Sequence, residues 1–378
     1  MSSIHRTESG SYRVKYREHR RQKSKTFRTE AEAKSFAEKV RHDLSAGRPV
    51  RRRQDVPELM PFALQWLADR SDLSPQTERL YLSWLKAHVF EHLGHLPLID
   101  IRPRRLKQWQ DDRLAAGAGP AAIGKVQAVL SQIMDYAVLP YEYIEVNPVA
   151  ALKRPAYRKR AHRWLVAEEV EKLRSWFVHD GDQGSAVLVS VLAYVGIRPQ
   201  DALALEWSHV GKKLTVIQKV AGGKIVSGSK TGERHKRVVY LPEPVRADLE
   251  AWRLESTGVG LIFPRAIDGK PWTKDDWDNW RGRRFKAKAA SLTGLGEGLR
   301  PYDLRHTAAT LYAAAGWTHV EIAHQQGNSP EESLRTYQHL IESAHGQPRQ
   351  SVEDWIRQAR GELVKGIDVP DPFPLTTD

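Results

Sequence analysis

The sequence predicts a multidomain α+β protein, with a small β-plus-helix module at the N-terminus, an all-α domain behind it and a larger mixed α/β domain last. Three observations predict this. Ser11 to Arg17 alternates as a strand does, with Tyr12, Val14 and Tyr16 on one face. Ile123, Val126, Leu130, Ile133 and Ala137 recur at the spacing of one helix face. Short strand-like runs at 214–218, 224–227 and 237–241 interrupt an otherwise helical last half.

In the first module, residues 25–28 supply a partner strand. Thr29-Glu30 then opens a helix that carries Ala31, Ala33, Phe36, Ala37 and Val40. Arg51-Arg52-Arg53 closes residues 1–53 as a basic linker. Residues 54–152 read as helices. Phe62, Trp66 and Leu67 make one apolar stripe, and Ser74-Pro75 places an N-cap and a first-turn proline ahead of Tyr81, Leu85 and Val89. Pro103 starts another helix, with Leu106 and Trp109 turned inward. Asn147-Pro148 ends this domain, and a basic linker spans 153–163. Residues 164–350 form the mixed domain. A helix runs from Glu168 to Phe177 and an apolar one from Val187 to Tyr194, stopping at Gly196. The three short strands are expected to share one sheet, and helices resume from Arg246. Residues 351–378 read as a tail, expected to be mobile past Val364.

The chain has 378 residues, a formal net charge of +13 and no cysteine. That length accommodates two or three domains. The lack of cysteine excludes disulfides, thiolate zinc sites and a Cys nucleophile. No run approaches the roughly 18 apolar residues that a membrane span needs, and the N-terminus lacks the apolar core of a secretory signal. The expectation is a cytoplasmic, nucleoid-associated protein with no membrane partner. The charge is unevenly placed. Residues 1–53 hold 16 Lys and Arg against 6 Asp and Glu, a net +10, while residues 351–378 hold 3 against 6, a net −3. A basic surplus gathered at one end points to nucleic acid. Its candidate contacts are Arg13, Lys15 and Arg17 on the open strand face and Arg51, Arg52 and Arg53 in the linker.

Four segments of the last domain carry candidate chemistry. Arg198 follows an apolar helix and a glycine turn, where a charge is costly without a partner. Asp201 stands three residues on and can orient the guanidinium, although an ordinary Arg–Asp pair would look the same. Lys230 lies on a Gly-Ser-Lys-Thr-Gly turn between strands, where a lone Lys is usually just solvated. Tyr302-Asp303-Leu304-Arg305-His306-Thr307 opens a helix after Pro301, and Gly327-Asn328 precedes Tyr337-Gln338-His339. Together they fit phosphodiester cleavage without a metal. That reaction needs a nucleophile, cationic clamps on the non-bridging oxygens and an acid for the leaving alkoxide. Arg offers a planar fork for phosphate. Acid pairs such as Asp275-Asp276 and Glu331-Glu332 point different ways on a helix, so no metal is expected.

In order and spacing these segments resemble the boxes of the tyrosine recombinase (phage integrase) family. Arg198 with Asp201 resembles the first arginine box. Lys230, followed by Thr-Gly and by Arg237-Val238-Val239-Tyr240-Leu241, resembles the strand–turn–strand lysine. Asp303 to Thr307 resembles the second arginine box. Tyr337, nine residues after Asn328 and two before His339, resembles the nucleophile box. The likeness is strongest over 165–345. Residues 56–150 resemble the core-binding domain, and residues 1–50 the arm-binding domain of phage-type integrases. Two positions depart from the pattern. Tyr302 stands where the family usually has His, and Asn328 where it usually has His or Trp. Tyr302 still donates and accepts a proton; Asn328 still donates a hydrogen bond but cannot titrate.

The resemblance implies a C-shaped clamp around duplex DNA and a site-specific recombinase that integrates or excises a mobile element. Tyr337 would attack the scissile phosphate, giving a 3′-phosphotyrosyl bond and a free 5′ hydroxyl. Arg198 and Arg305 would clamp the transition state, with Lys230 as general acid, Tyr302 and Asn328 assisting, and His306 and His339 bracing. The resemblance also implies a tetramer on double-stranded attachment sites, accessory DNA-bending proteins among its partners, and no metal or nucleotide cofactor. Two other outcomes use the same residues: a type IB topoisomerase-like enzyme, and a non-enzymatic DNA-binding regulator derived from a recombinase. The basic N-terminal module favours the recombinase over the topoisomerase.

Overall fold

A computed structural model describes residues 2–18, 21–45, 55–157, 163–227, 236–291, 298–336 and 350–364. The chain divides into two compact units, Met1–Lys159 and Arg160–Asp378.

The first unit opens with an antiparallel sheet in the order β1 (Ser2–Arg6), β2 (Tyr12–Glu18), β3 (Arg21–Phe27). The alternation in β2 has the expected result. Val14 and Tyr16 are buried with Ala33, Ala37 and Val40 of helix α1 (Glu30–Ser45). Arg13 and Arg17 are exposed on the other face, with Lys15 half-buried between them. Thr29 and Glu32 cap α1 reciprocally: the Glu32 amide donates to Thr29 Oγ1 at 3.3 Å and the Thr29 amide to Glu32 Oε2 at 3.2 Å. Strand β1 escaped the sequence reading because its Ser-Ser-Ile-His-Arg has one apolar residue and stays mostly exposed.

The same unit continues as a helical bundle of α2 (Leu59–Ala68), α3 (Pro75–Leu85), α4 (Glu91–Leu93), α5 (Pro103–Ala115) and α6 (Pro120–Val138). A π turn at Lys86–Phe90 joins α3 to α4. Phe62, Trp66, Leu67, Leu85, Val89, Leu106 and Trp109 are buried in one cluster with the whole apolar face of α6. Ser74 Oγ accepts from the Thr77 amide at 3.2 Å, the expected cap.

The second unit is built on α7 (Ala167–His179), α8 (Gln183–Ser190), α9 (Pro199–Ala202), α10 (Glu243–Glu255), α11 (Lys274–Asn279), α12 (Lys286–Ser291), α13 (Pro301–Ala314), α14 (His319–Gln326) and α15 (Val352–Val364). Its strands differ from the expected single sheet. Among the described residues, β4 (Leu214–Val216) pairs with β7 (Arg237–Val239), and β5 (Gln218–Ala221) pairs separately with β6 (Lys224–Ser227). The β4–β7 ladder places Leu214, Val216 and Val239 in the core, whereas β6 is largely exposed. One ladder is thus held by burial and the other by its short hairpin through Gly222-Gly223. Residues 352–364, read as part of a tail, form a packed helix. Val352, Ile356 and Ala359 are buried, and Arg360 donates to Asp248 Oδ2 at 2.7 Å and Glu171 Oε2 at 3.1 Å. A charged helix with one apolar face looks like a solvated tail until its receiving surface is known. The tail past Val364 lies outside the described residues.

Candidate active site

Two helical segments end in left-handed glycines. A π turn at Val191–Val195 extends α8 to Gly196 (φ +75°), and α14 stops at Gly327 (φ +68°). The space is tight at both places as well. A Cβ at 196 would stand 2.6 Å from Ala308 Cβ, and one at 327 would stand 2.7 Å from Arg237 Cζ. The carbonyls at these helix ends carry partial negative charge and attract cations. Arg305 Nη1 donates to Gly196 O at 2.7 Å, and Arg198 Nη2 donates to Gly327 O at 2.8 Å.

Both arginines also reach one further atom. Asn328 Oδ1 accepts from Arg198 Nη2 at 2.9 Å and from Arg305 Nη2 at 2.8 Å. The Asn328 amide group on the other side donates to Gln326 Oε1 at 3.3 Å, an orientation that the two guanidinium donors require. Arg305 is buried and Arg198 half-buried. Two planar cations from separate segments therefore converge on a single oxygen, which is geometry suited to a tetrahedral oxyanion.

The support behind them was not anticipated from sequence. Gln326, fully buried, donates to Arg305 O at 2.7 Å. Gln325 donates to Val195 O at 3.0 Å and Tyr240 O at 2.9 Å, and its Oε1 accepts from the Tyr240 amide at 2.9 Å. These two glutamines tie the end of α14 to the π turn, to α13 and to the chain leaving β7. The available signal was two adjacent amides in the last turn before Gly-Asn.

Asp201, expected to orient Arg198, is fully buried, and its Oδ2 accepts from Arg237 Nη2 at 3.1 Å. Arg237 is itself only 6% exposed at the start of β7. Burial lowers its pKa, Asp201 opposes that shift, and the nearby charge of Arg198 adds to it. The sequence signal was an Arg in register with Val239 on the inward face of the strand.

Tyr302 is 44% exposed at the start of α13, and its ring meets the buried His306 edge-on at 5.7 Å. Two other residues of that box hold the helix. Asp303 accepts from the Arg300 amide at 2.9 Å and Arg300 Nη2 at 2.7 Å, and Thr307 Oγ1 accepts from the Leu165 amide at 2.9 Å. The structure thus brings Arg198, Arg305 and Asn328 together, backed by the Arg237–Asp201 pair. Lys230, Tyr337 and His339, with Arg51, Arg52 and Arg53, lie outside the described residues. Among the described residues no group of three His, Cys, Asp or Glu could hold a metal, and no helix is long and apolar enough to cross a membrane.

The N-terminal sheet presents a second cationic surface. Cross-strand neighbours share a face. Arg13 stands between His5 and Thr26, Lys15 between Ser3 and Ser24, and Arg17 beside Gln22. None of these neighbours is a carboxylate.

Residues 60–155 match the family model of the phage integrase central domain, which corresponds to the helical bundle and the chain just after it. The chain is 27% identical over 296 residues to an integrase of Mycobacterium phage FRAT1, covering 73% of this chain and 82% of that protein. It is 25% identical over 305 residues to tyrosine recombinase XerC of Mesorhizobium japonicum, covering 75% of this chain and 93% of the relative. In fold it is similar to lambda integrase in a tetramer bound to a Holliday junction, with a TM-score of 0.61 and 20% identity over 93% of this chain and 97% of that one. It is also similar to the Tn1549 transposon integrase in complex with transposon right end DNA, with a TM-score of 0.64 and 15% identity over 82% of this chain and 100% of that one.

Proposed function

We infer that the chain is a site-specific tyrosine recombinase of the phage integrase family, one that cleaves and rejoins DNA through a 3′-phosphotyrosyl bond to Tyr337. The observation that carries this reading is the convergence of Arg198 and Arg305 on Asn328 Oδ1 at 2.9 and 2.8 Å. That amide oxygen stands where a non-bridging oxygen of the scissile phosphate would be gripped. The Tyr337 oxygen attacks phosphorus as its hydroxyl proton passes to water, the bond to the 5′ oxygen breaks, and the Lys230 ammonium gives that oxygen its proton. The two guanidiniums offset the charge that builds on the phosphorane. Because the phosphodiester energy is kept in the tyrosyl ester, a 5′ hydroxyl rejoins the strand by the reverse step without ATP or a metal. Tyr302, on the open end of α13 and braced by His306, supplies a hydrogen bond to the phosphate, and Asn328 donates one through its amide group once its oxygen has yielded the two guanidiniums to the phosphate. His339 steadies the nucleophile segment.

The domains take matching roles. Residues 1–53 bind arm-type DNA sites, residues 54–152 the core site, and residues 164–350 carry the chemistry, with α15 packed against them. The partners are double-stranded attachment sites, further copies of this chain up to a tetramer, and accessory DNA-bending proteins. The role is integration or excision of a mobile element, carried out on the nucleoid in the cytoplasm.

A nicked suicide substrate carrying the attachment site tests this on denaturing gels. The native chain should form a covalent DNA adduct, and Tyr337→Phe should bind DNA equally and form none. An adduct that persists in Tyr337→Phe moves the nucleophile elsewhere. No adduct from the native chain would favour a DNA-binding regulator, and efficient relaxation of supercoiled DNA lacking any site would favour a topoisomerase.

A further inference from the structure

We propose that Arg237 is a positioning residue for the arginine clamp, acting through Gly327 and Asp201; the proposal rests on the recombinase reading above. Arg237 meets three segments at once. It begins β7, which follows Lys230 in the chain by seven residues. Its Nη2 donates to Asp201 of α9 at 3.1 Å. Its guanidinium lies directly against the Gly327 backbone, so close that a Cβ there would be 2.7 Å from Cζ and 2.8 Å from Nη1. Gly327 in turn offers its carbonyl to Arg198 Nη2 at 2.8 Å. The plane of Arg237 therefore forms the floor on which the Gly327–Asn328 turn rests, and that turn holds the acceptors that aim Arg198 and Arg305.

Charge and shape both matter in this place. A buried carboxylate next to the clamp would draw on a clamp arginine unless another cation satisfied it. Arg237 is such a cation: its Nη2 donates to Asp201 Oδ2 at 3.1 Å. Arg237 is also a positive charge close enough to Arg198 to disfavour a second cation there, a cost that an incoming phosphate relieves. A Lys could pair with Asp201 but has no flat face to lie under a glycine backbone. Among the described residues Nε of Arg237 is buried without a hydrogen-bond partner, which indicates that the guanidinium is set by its packing under Gly327 as well as by its ion pair.

The experiment measures single-turnover cleavage of the suicide substrate, DNA affinity and thermal melting, on the full chain. Arg237→Met removes a buried cation that pairs with Asp201 and should lower both melting and cleavage. The double variant Arg237→Met with Asp201→Leu removes the ion pair as a unit, and such replacements are often neutral for folding. It should melt near the native chain and bind DNA within about twofold of native, yet cleave at least about tenfold more slowly, since a tenfold rate loss needs only a small misalignment of the clamp. Arg237→Lys should bind DNA normally and recover only part of the rate. If the double variant cleaves as fast as the native chain, Arg237 is merely structural and the proposal is overturned. Should the double variant not fold, native-rate cleavage by Arg237→Lys overturns it equally. The native adduct separates the two levels: its presence with unaffected variants sinks this inference alone, whereas its absence sinks the recombinase reading and this inference with it.

Discussion

Arg13, Lys15 and Arg17 stand in a row on an open sheet face among Ser, Thr, Gln and His neighbours, whereas Arg237 and Arg305 are sunk into the second unit with Arg198 half-buried beside them, each donating to an acceptor of the protein. The difference teaches how one charge serves two purposes. An exposed cation acts over a distance, is screened by salt, and gains affinity mainly by displacing counterions from DNA. It needs no particular orientation. A buried guanidinium is already oriented and desolvated, so it does not reorganise when charge develops on a phosphate. It also demands acceptors within the protein, which the carbonyls of Gly196 and Gly327, the Asn328 amide and the Asp201 carboxylate supply. On this reading the first region grips and the second performs the reaction.

The largest effects should come from the two clamp arginines. Arg305→Ala or Arg198→Ala should lower single-turnover cleavage by about 10²–10³ or more, the cost of losing one preorganised donor, while DNA affinity at moderate salt falls little. A rate loss below about tenfold in either variant would blur the distinction between the regions, since the arginine would then be only a scaffold.

A smaller loss should follow Asn328→Asp. The carboxylate would sit between two guanidiniums and pair with both. The expected outcome is a higher melting temperature together with cleavage slowed by about tenfold, because the scissile phosphate must now displace a charge. Faster cleavage would show that Asn328 does not occupy the phosphate position.

Neutralising Arg13, Lys15 and Arg17 together should leave cleavage of a core-site substrate within about twofold. Its effect should appear in binding to DNA that carries the arm sites. If each cation meets one phosphate, the slope of log affinity against log salt should become shallower by up to about 2.7. Footprinting should lose protection outside the crossover region. Equal weakening on all DNA, with no site lost from the footprint, would reduce this face to nonspecific attraction.

The smallest expected effect is that of a chelator. With arginines as the built-in cations, EDTA should change the cleavage rate by less than about twofold. Loss of cleavage restored by magnesium would assign the clamp's work to a metal.

Much of this architecture was legible in the sequence, because it is local. The apolar face of α6, the Ser74 cap, the alternation in β2 and the glycine stop at 196 depend on residues within a few positions of one another. Burial then followed the predicted faces: Ile123, Val126, Leu130, Ile133 and Ala137 are all inside. The two arginines and Asn328 were likewise singled out in the sequence, and the fold brings their side chains together. The role of Asn328 was less legible. Its sequence allows either end of the amide to face a phosphate, and only the two guanidinium donors settle that its oxygen points between them.

What tertiary structure alone decided is partnership. Asp201, read as orienting Arg198 three residues away, holds Arg237 from a strand that begins well beyond it in sequence. The three expected strands became two ladders, since β4 passes over its sequence neighbours to pair with β7. The helix at 352–364 joined the core because α7 and α10 present Glu171 and Asp248 to Arg360. The physical reason is common to all three. Periodicity and capping are set by backbone geometry over one or two turns, whereas a buried charge or a strand edge takes whichever partner the packed core brings within hydrogen-bond reach, and that is a property of the whole fold.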